Sequence, residues 1–289
     1  MSEALPLAEL LTMPFLQRAL LAGLLSGVLG GLLGGFAVLR QLSFFTDALG
    51  HAALLGIALG VLLGLREPTL VLIPFAVLFA LGVNHLARRS RLPGDALLNV
   101  IYSSALALAV LVLSRVPGRW GSLEQLLFGD ILGVTSVDLL LLLALLLGVG
   151  LYLLLTGRRQ LLLTVDESLA VSRGVDAELQ RIGFVVVLAV VVAISIKAVG
   201  VLLISAFVVI PACASRLISG NFRLYLILAA LLGGLCAVLG LLASGAFDLP
   251  SGPSVVVVQL LAFLLALGFG PRRPQSLGGS GAPKRVGWR

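Results

Sequence analysis

Residues 14–60 read PFLQRALLAGLLSGVLGGLLGGFAVLRQLSFFTDALGHAALLGIALG. The run 15–39 is apolar over more than the roughly 20 residues a helix needs to cross a bilayer, and a second apolar run, 48–65, follows it closely. Gly23, Gly27, Gly31 and Gly35 recur at every fourth residue, joined by Gly30 and Gly34. That spacing lines them along one side of a helix. Such a ridge lets helix backbones approach closely where lipid supplies no hydrophobic drive. No strand precedes these glycines and no Lys-Ser/Thr follows them, so they predict helix packing and exclude a phosphate-binding loop.

The rest of the chain points the same way. Of its 289 residues, 60% are hydrophobic and 11% charged, and the mean hydropathy is +1.16. No soluble domain of this size could cover so much apolar surface. The sequence predicts an all-α polytopic membrane protein. The first span is not expected to be a signal peptide, because Glu3 and Glu9 precede it in place of a basic segment. The net charge of +7 would suggest nucleic acid in a soluble protein. Here the excess arginine marks cytoplasmic loops, and no nucleic-acid partner is expected. Cys213 and Cys236 fall inside apolar segments without a C-x-x-C pair and read as small packing residues.

Apolar runs place about nine spans: 15–39, 48–65, 69–87, 96–113, 137–155, 182–196, 200–218, 224–243 and 254–269. The run 182–196 is short and only 198–200 separates it from the next, which predicts a broken or re-entrant segment around Lys197. Arg88, Arg89 and Arg91 follow the third span, Arg158, Arg159, Arg173 and Arg181 surround the loop after the fifth, and Arg272, Arg273, Lys284 and Arg285 follow the last. With nine spans all three clusters share the cytoplasmic side, opposite the N-terminus. The expected organisation is an N-terminal segment 1–14, a transmembrane domain 15–270 and a disordered basic tail 271–289.

Two connectors stand out. Residues 115–135 hold Trp120 and the amphipathic piece SLEQLLFGDIL, expected at the extracytoplasmic interface. Residues 156–181, TGRRQLLLTVDESLAVSRGVDAELQR, hold Thr164, Asp166 and Glu167 at a helix start, Leu169 and Val171 as a short apolar face, and Gly174 as a helix stop. A short cytoplasmic helix lying along the membrane there can receive force from a motor protein or remain a solvated loop helix.

Asp47 and His51 carry the chemistry. Four residues apart, they share one helical face about 6 Å apart at Cβ. A carboxylate and an imidazole are costly to place in an apolar segment without a partner. A divalent cation uses both, since mixed oxygen and nitrogen donors suit zinc, manganese or iron. The plain alternative is a packed histidine near a helix start that Asp47 caps. His85, the other histidine, reads as solvated at the end of the third span, and Lys197 as marking an extracytoplasmic turn. Pro211, inside an apolar segment, frees a backbone carbonyl and permits a kink.

The stretch 14–60, together with VGVLLISAFVVIPACASRLIS at 199–219 and LTVDESLAVSRGVDA at 163–177, resembles the permease subunits of ABC-type zinc, manganese and iron importers. The three matches cover about a third of the residues, in order along a chain of the right size. The resemblance implies a homodimeric type II ABC importer-like permease of 8–9 membrane helices in the bacterial cytoplasmic membrane. It would pair with two copies of a cytoplasmic ATPase and be fed by an extracytoplasmic metal-binding protein. Asp47 and His51 match positions that coordinate the transported metal, and the segment around Asp166–Gly174 matches the one that engages the ATPase. No ATP-binding motif occurs in the chain, so no enzymatic activity of its own is expected. No permanently bound cofactor is implied either; the metal, zinc or manganese with iron accepting the same donors, is cargo.

Three other readings compete. A membrane enzyme would need a nucleophile–base pair or an H-E-x-x-H motif, and neither occurs. An ion-coupled secondary metal carrier would show several acidic residues inside its spans, where only Asp47 is a clear candidate. A permease for a metal chelate shares the architecture but has no need of a bare Asp–His pair.

Overall fold

The computed structural model describes residues 13–65, 71–90, 92–115, 129 and 131–269. Over these residues the chain forms ten α-helices: α1 (Pro14–Leu39), α2 (Ser43–Leu62), α3 (Leu72–Arg89), α4 (Gly94–Leu113), α5 (Ser136–Val165), α6 (Glu167–Ser172), α7 (Ala177–Val199), α8 (Val201–Ile218), α9 (Phe222–Phe247) and α10 (Ser251–Phe269). Eight of them, all but α3 and α6, are long and apolar enough to cross a membrane.

Helix α3 is the span on which eight and nine differ. Its last turn carries Arg88 and Arg89, which lower its hydropathy, yet it runs the length of its neighbours. Near its start Phe75 lies against Gly56, late in α2. At its end Arg88 pairs with Glu178 at the start of α7. Two further contacts sort the other ends. Arg40, just past α1, donates to Thr164 at the end of α5, and Lys197 at the end of α7 reaches Asp138 at the start of α5, 3.2 Å away. Helices α1, α3 and α5 therefore run one way and α7 the other.

Several boundaries differ from the sequence expectation. Helix α5 does not stop at residue 155 but continues for ten residues to Val165, because Leu, Arg and Gln are good helix formers whether or not lipid surrounds them. Helix α7 is not short. It starts at Ala177, where Asp176 accepts from the Leu179 N–H at 3.0 Å, and runs unbroken for 23 residues. The only interruption near Lys197 is Gly200, with φ 87° and ψ 161°, a conformation open to glycine alone. The helices on either side of it, α7 and α8, are each long and apolar enough to cross a membrane. At that turn the half-exposed ammonium of Lys197 pairs with Asp138, whose carboxylate also closes a capping box with Thr135. The piece SLEQLLFGDIL, Trp120 and both chain termini lie mostly or wholly outside the described residues, which retain Gly129 and a short 3₁₀ turn, Ile131–Gly133.

Helix α1 forms the axis of packing, held by α9, α8 and α5, while α2 lies against α4, α8, α3 and α7. Its glycines sort onto two seams. A Cβ on Gly27 would strike the Gly233 carbonyl, and one on Gly31 the Ala229 carbonyl, both on α9; Gly23 and Gly35 lie against Leu241 and Leu226 of the same helix. Gly30 and Gly34 face α8 instead, where a Cβ would meet Phe207 and the Val208 carbonyl. The Phe207 carbonyl is the one that Pro211, lacking an N–H, leaves without its usual partner. Helix α8 continues through Pro211, which is buried. Phe36, Phe45, Phe184 and Phe207 fill the space between the helices and are fully buried.

Candidate metal site

The site is built on one face of α2. That helix starts at Ser43 with no side-chain cap, so Asp47 sits in its second turn and is not the cap that the plainer reading expects. Thr46, Leu49, Gly50 and Ala53 turn inward and are buried, with Gly50 against Val201 of α8. Asp47, His51, Leu55 and Leu59 form the opposite stripe and are all half-buried. The Asp47 side chain is 38% exposed and that of His51 20%, with Oδ1 and Nε2 3.7 Å apart. That is too long for a hydrogen bond. It is close to the separation of two donors that share one metal ion, since metal–donor bonds of about 2.1 Å span 3–4 Å across the ion.

Helix α4 walls the pair on one side. The Tyr102 ring packs on the His51 imidazole with centroids 5.2 Å apart and planes at 55°, and Leu54 and Ala58 continue the contact to Ala109. Ring packing of this kind limits imidazole rotation and keeps the donor nitrogen on the Asp47 side. Among the described residues no three His, Cys, Asp or Glu side chains come together as a metal cage. His85 is exposed on α3, and Cys213 and Cys236 are free and apart from the pair.

The second candidate region caps the far ends of α5 and α7. Asp166 caps α6 by accepting from the Leu169 N–H at 3.0 Å. Glu167 receives both its oxygens' hydrogen bonds from Arg181 on α7, at 2.8 and 2.7 Å. Gly174, at φ 76°, ends the segment, with the Val175 N–H bonding the Ala170 carbonyl at 3.1 Å. Leu169 and Val171 are 41% and 56% exposed. Thr164 does not start this helix. It lies in the last turn of α5 and donates to the Gln160 carbonyl at 2.7 Å.

Thr164 also accepts from Arg40, which the sequence reading missed. Arg40 Nε lies 2.9 Å from Thr164 Oγ1 and its Nη2 2.7 Å from the Gln160 carbonyl. Its guanidinium sits 4.9 Å from the Phe184 ring centre and 5.9 Å from that of Phe36. Burial pushes its pKa down to about 10, which leaves it charged at neutral pH. Gln160, fully buried, donates to Tyr152 Oη at 2.7 Å and to Gln180 Oε1 at 2.9 Å. The only sequence signal for this cluster is one arginine immediately after an apolar span; its partners are 120 and 124 residues away.

The chain matches the description of the ABC 3 transport family over residues 12–270. It is 30% identical over 265 residues to the manganese transport system membrane protein MntC of Halalkalibacterium halodurans, covering 92% of this chain and 90% of that protein. It is also 30% identical over 254 residues to the high-affinity zinc uptake system membrane protein ZnuB of Haemophilus influenzae, covering 86% of this chain and 95% of that one. Among solved structures, PsaBC from Streptococcus pneumoniae in complex with Fab superposes with a TM-score of 0.81 at 28% identity, over 91% of this chain and 95% of that chain.

Proposed function

This chain belongs to the ABC 3 transport family, and from that premise we propose that it is the membrane-spanning permease subunit of an ATP-driven importer for a divalent transition metal, zinc or manganese. Membership of an ABC family displaces the ion-coupled carrier as a reading. The observation that carries the choice of cargo is the Asp47–His51 pair: two donors 3.7 Å apart on the half-buried face of a membrane helix, in a chain whose relatives are named for manganese and zinc.

Two donors make half a site. Because no third His, Cys, Asp or Glu joins the pair among the described residues, we assign the other half to a second copy of the chain. A two-fold axis beside α2 would bring two carboxylates and two imidazoles around one ion. A transport site must accept its ion and release it, and a cage split between protomers does both. Sliding the protomers apart dismantles it. Two copies of a separate cytoplasmic ATPase would supply the motion, bearing on α6 and its exposed Leu169 and Val171, and an extracytoplasmic metal-binding protein would deliver the ion at the opposite end. Closure of the ATPase pair would then tilt the helices between outward- and inward-open states. The reading implies a bacterial cytoplasmic membrane as the site of action.

The test is metal uptake by the reconstituted permease–ATPase complex, with zinc, manganese and iron offered in competition, for the unaltered chain and for Asp47→Ala and His51→Ala. Uptake of one metal, lost in both variants while the complex still assembles, is the expected outcome. Uptake that survives His51→Ala removes the cage and leaves selection to the delivering protein.

A further inference from the structure

We propose that Arg40 is a positioning residue that ties the ATPase-facing end of the bundle to the helix carrying the metal donors. The inference rests on the permease reading above and adds to it the part through which force reaches the ion.

The corner between α1 and α2 has almost no freedom. Arg40 caps α1, and Gln41 follows in the left-handed region at φ 59°. The Leu42 N–H bonds the Ala37 carbonyl at 2.8 Å and the Gln41 N–H bonds the Val38 carbonyl at 3.2 Å, a Schellman ending. Helix α2 then starts at Ser43. At 1.5 Å per residue the base of α2 lies about 6 Å along its axis from Asp47. Any displacement of Arg40 is therefore a displacement of the metal pair.

The other side of the clasp is the end of α5. Arg40 holds Thr164 and the Gln160 carbonyl, and only Val165 and Asp166 separate Thr164 from α6. Gln160 in turn binds both the side chain and the backbone carbonyl of Gln180 on α7, while Arg181 next to it holds Glu167 of α6. One arginine thus joins α1 and α2 to α5, α6 and α7. Its fork suits the task. Two N–H groups aim at two acceptors while the flat face rests on Phe184 and Phe36, which a lysine could not reproduce. No carboxylate among the described residues pairs with it, so the charge is held by directional contacts that depend on register. The contacts above use two of the five N–H groups of Arg40.

The experiment compares the unaltered complex with Arg40→Ala and Arg40→Lys, reconstituted with the ATPase. Three quantities are read: manganese or zinc bound per permease, ATP hydrolysed, and metal imported per ATP. Both variants are expected to bind metal as the unaltered chain does and to hydrolyse ATP within about twofold of it. Metal imported per ATP should fall about tenfold in Arg40→Ala and about threefold in Arg40→Lys. An unchanged ratio in either variant overturns the proposal, as does a proportional loss of binding, hydrolysis and uptake. If Arg40→Ala does not assemble, Arg40→Lys decides alone. An unaltered complex that imports no metal counts against the permease reading and not against the clasp.

Discussion

The seam between α1 and α9 makes a sharp prediction, because it is built from backbone meeting backbone. Gly27 and Gly233 each present a carbonyl to the other's Cα, so a Cβ on Gly27 would fall on the Gly233 carbonyl. That carbonyl belongs to the interior of α9 and cannot turn aside without losing its helical hydrogen bond. Gly27→Ala must push the helices apart by roughly an ångström, an overpacking that costs about 1–3 kcal/mol. Gly148→Ala is the matching control. It sits inside α5, exposed, with nothing within 4 Å of its Cβ position. Both substitutions gain the same helix propensity, at most about 1 kcal/mol, so the difference between them isolates the seam. Taking about 2 kcal/mol for it, and about 2–4 °C per kcal/mol for a protein of this size, Gly27→Ala should melt about 4–8 °C below Gly148→Ala. The assay is thermal unfolding of the detergent-solubilised protein followed by size exclusion. Equal midpoints for the two variants would refute the claim that the ridge brings helix backbones together.

Four further outcomes can be checked in the same assay. Gly200→Ala forces a side chain into a glycine-only conformation and should cost about 1–3 kcal/mol, seen as a lower melting midpoint with the helical circular dichroism retained. Lys197→Met should change stability by less than about 1 kcal/mol, because the ammonium is half exposed. Asp138→Ala should cost more, roughly 1 kcal/mol for the lost acceptor of the Thr135 N–H and hydroxyl in the capping box. Arg181→Ala breaks an exposed pair with Glu167 and should leave the midpoint within about 1 kcal/mol of the unaltered chain, so a large drop would mean that α6 is held by that pair.

Where lipid would act on the sequence, the sequence was readable. Apolar runs of spanning length predict membrane helices because unpaired backbone is intolerable in hydrocarbon, and the spans at 15–39, 96–113 and 200–218 recur within a few residues as α1, α4 and α8. Legibility ends where the helices leave the apolar zone. Hydropathy is silent on whether Thr156–Val165 stays helical past the arginines, and α7 starts at a polar cap, Asp176, before its apolar run begins. The spacing of Asp47 and His51 was visible because it lies within one helix. The Tyr102 ring beside them was not, since it arrives from another helix. The Arg40 clasp shows the same limit at greater length: its acceptors lie at the far end of α5, and only tertiary packing reveals that the charge facing the interior has oxygen and aromatic partners.

Gly200 carries one more consequence. It alone connects α7 to α8, and the two peptide units from Val199 to Val201 reach at most about 7 Å between Cα atoms, a reach that the extended ψ of 161° at Gly200 already nearly uses up. A slide of either helix by a single turn, about 5.4 Å, exceeds the slack that remains. Neither helix can ratchet past the other, and the two must travel as a single bent lever. Its fulcrum is the glycine, where Gly129 lies close against the backbone. One arm begins beside α6 and the other presses Phe207 and Val208 onto α1. Lengthening the joint by a few flexible residues would give that lever play.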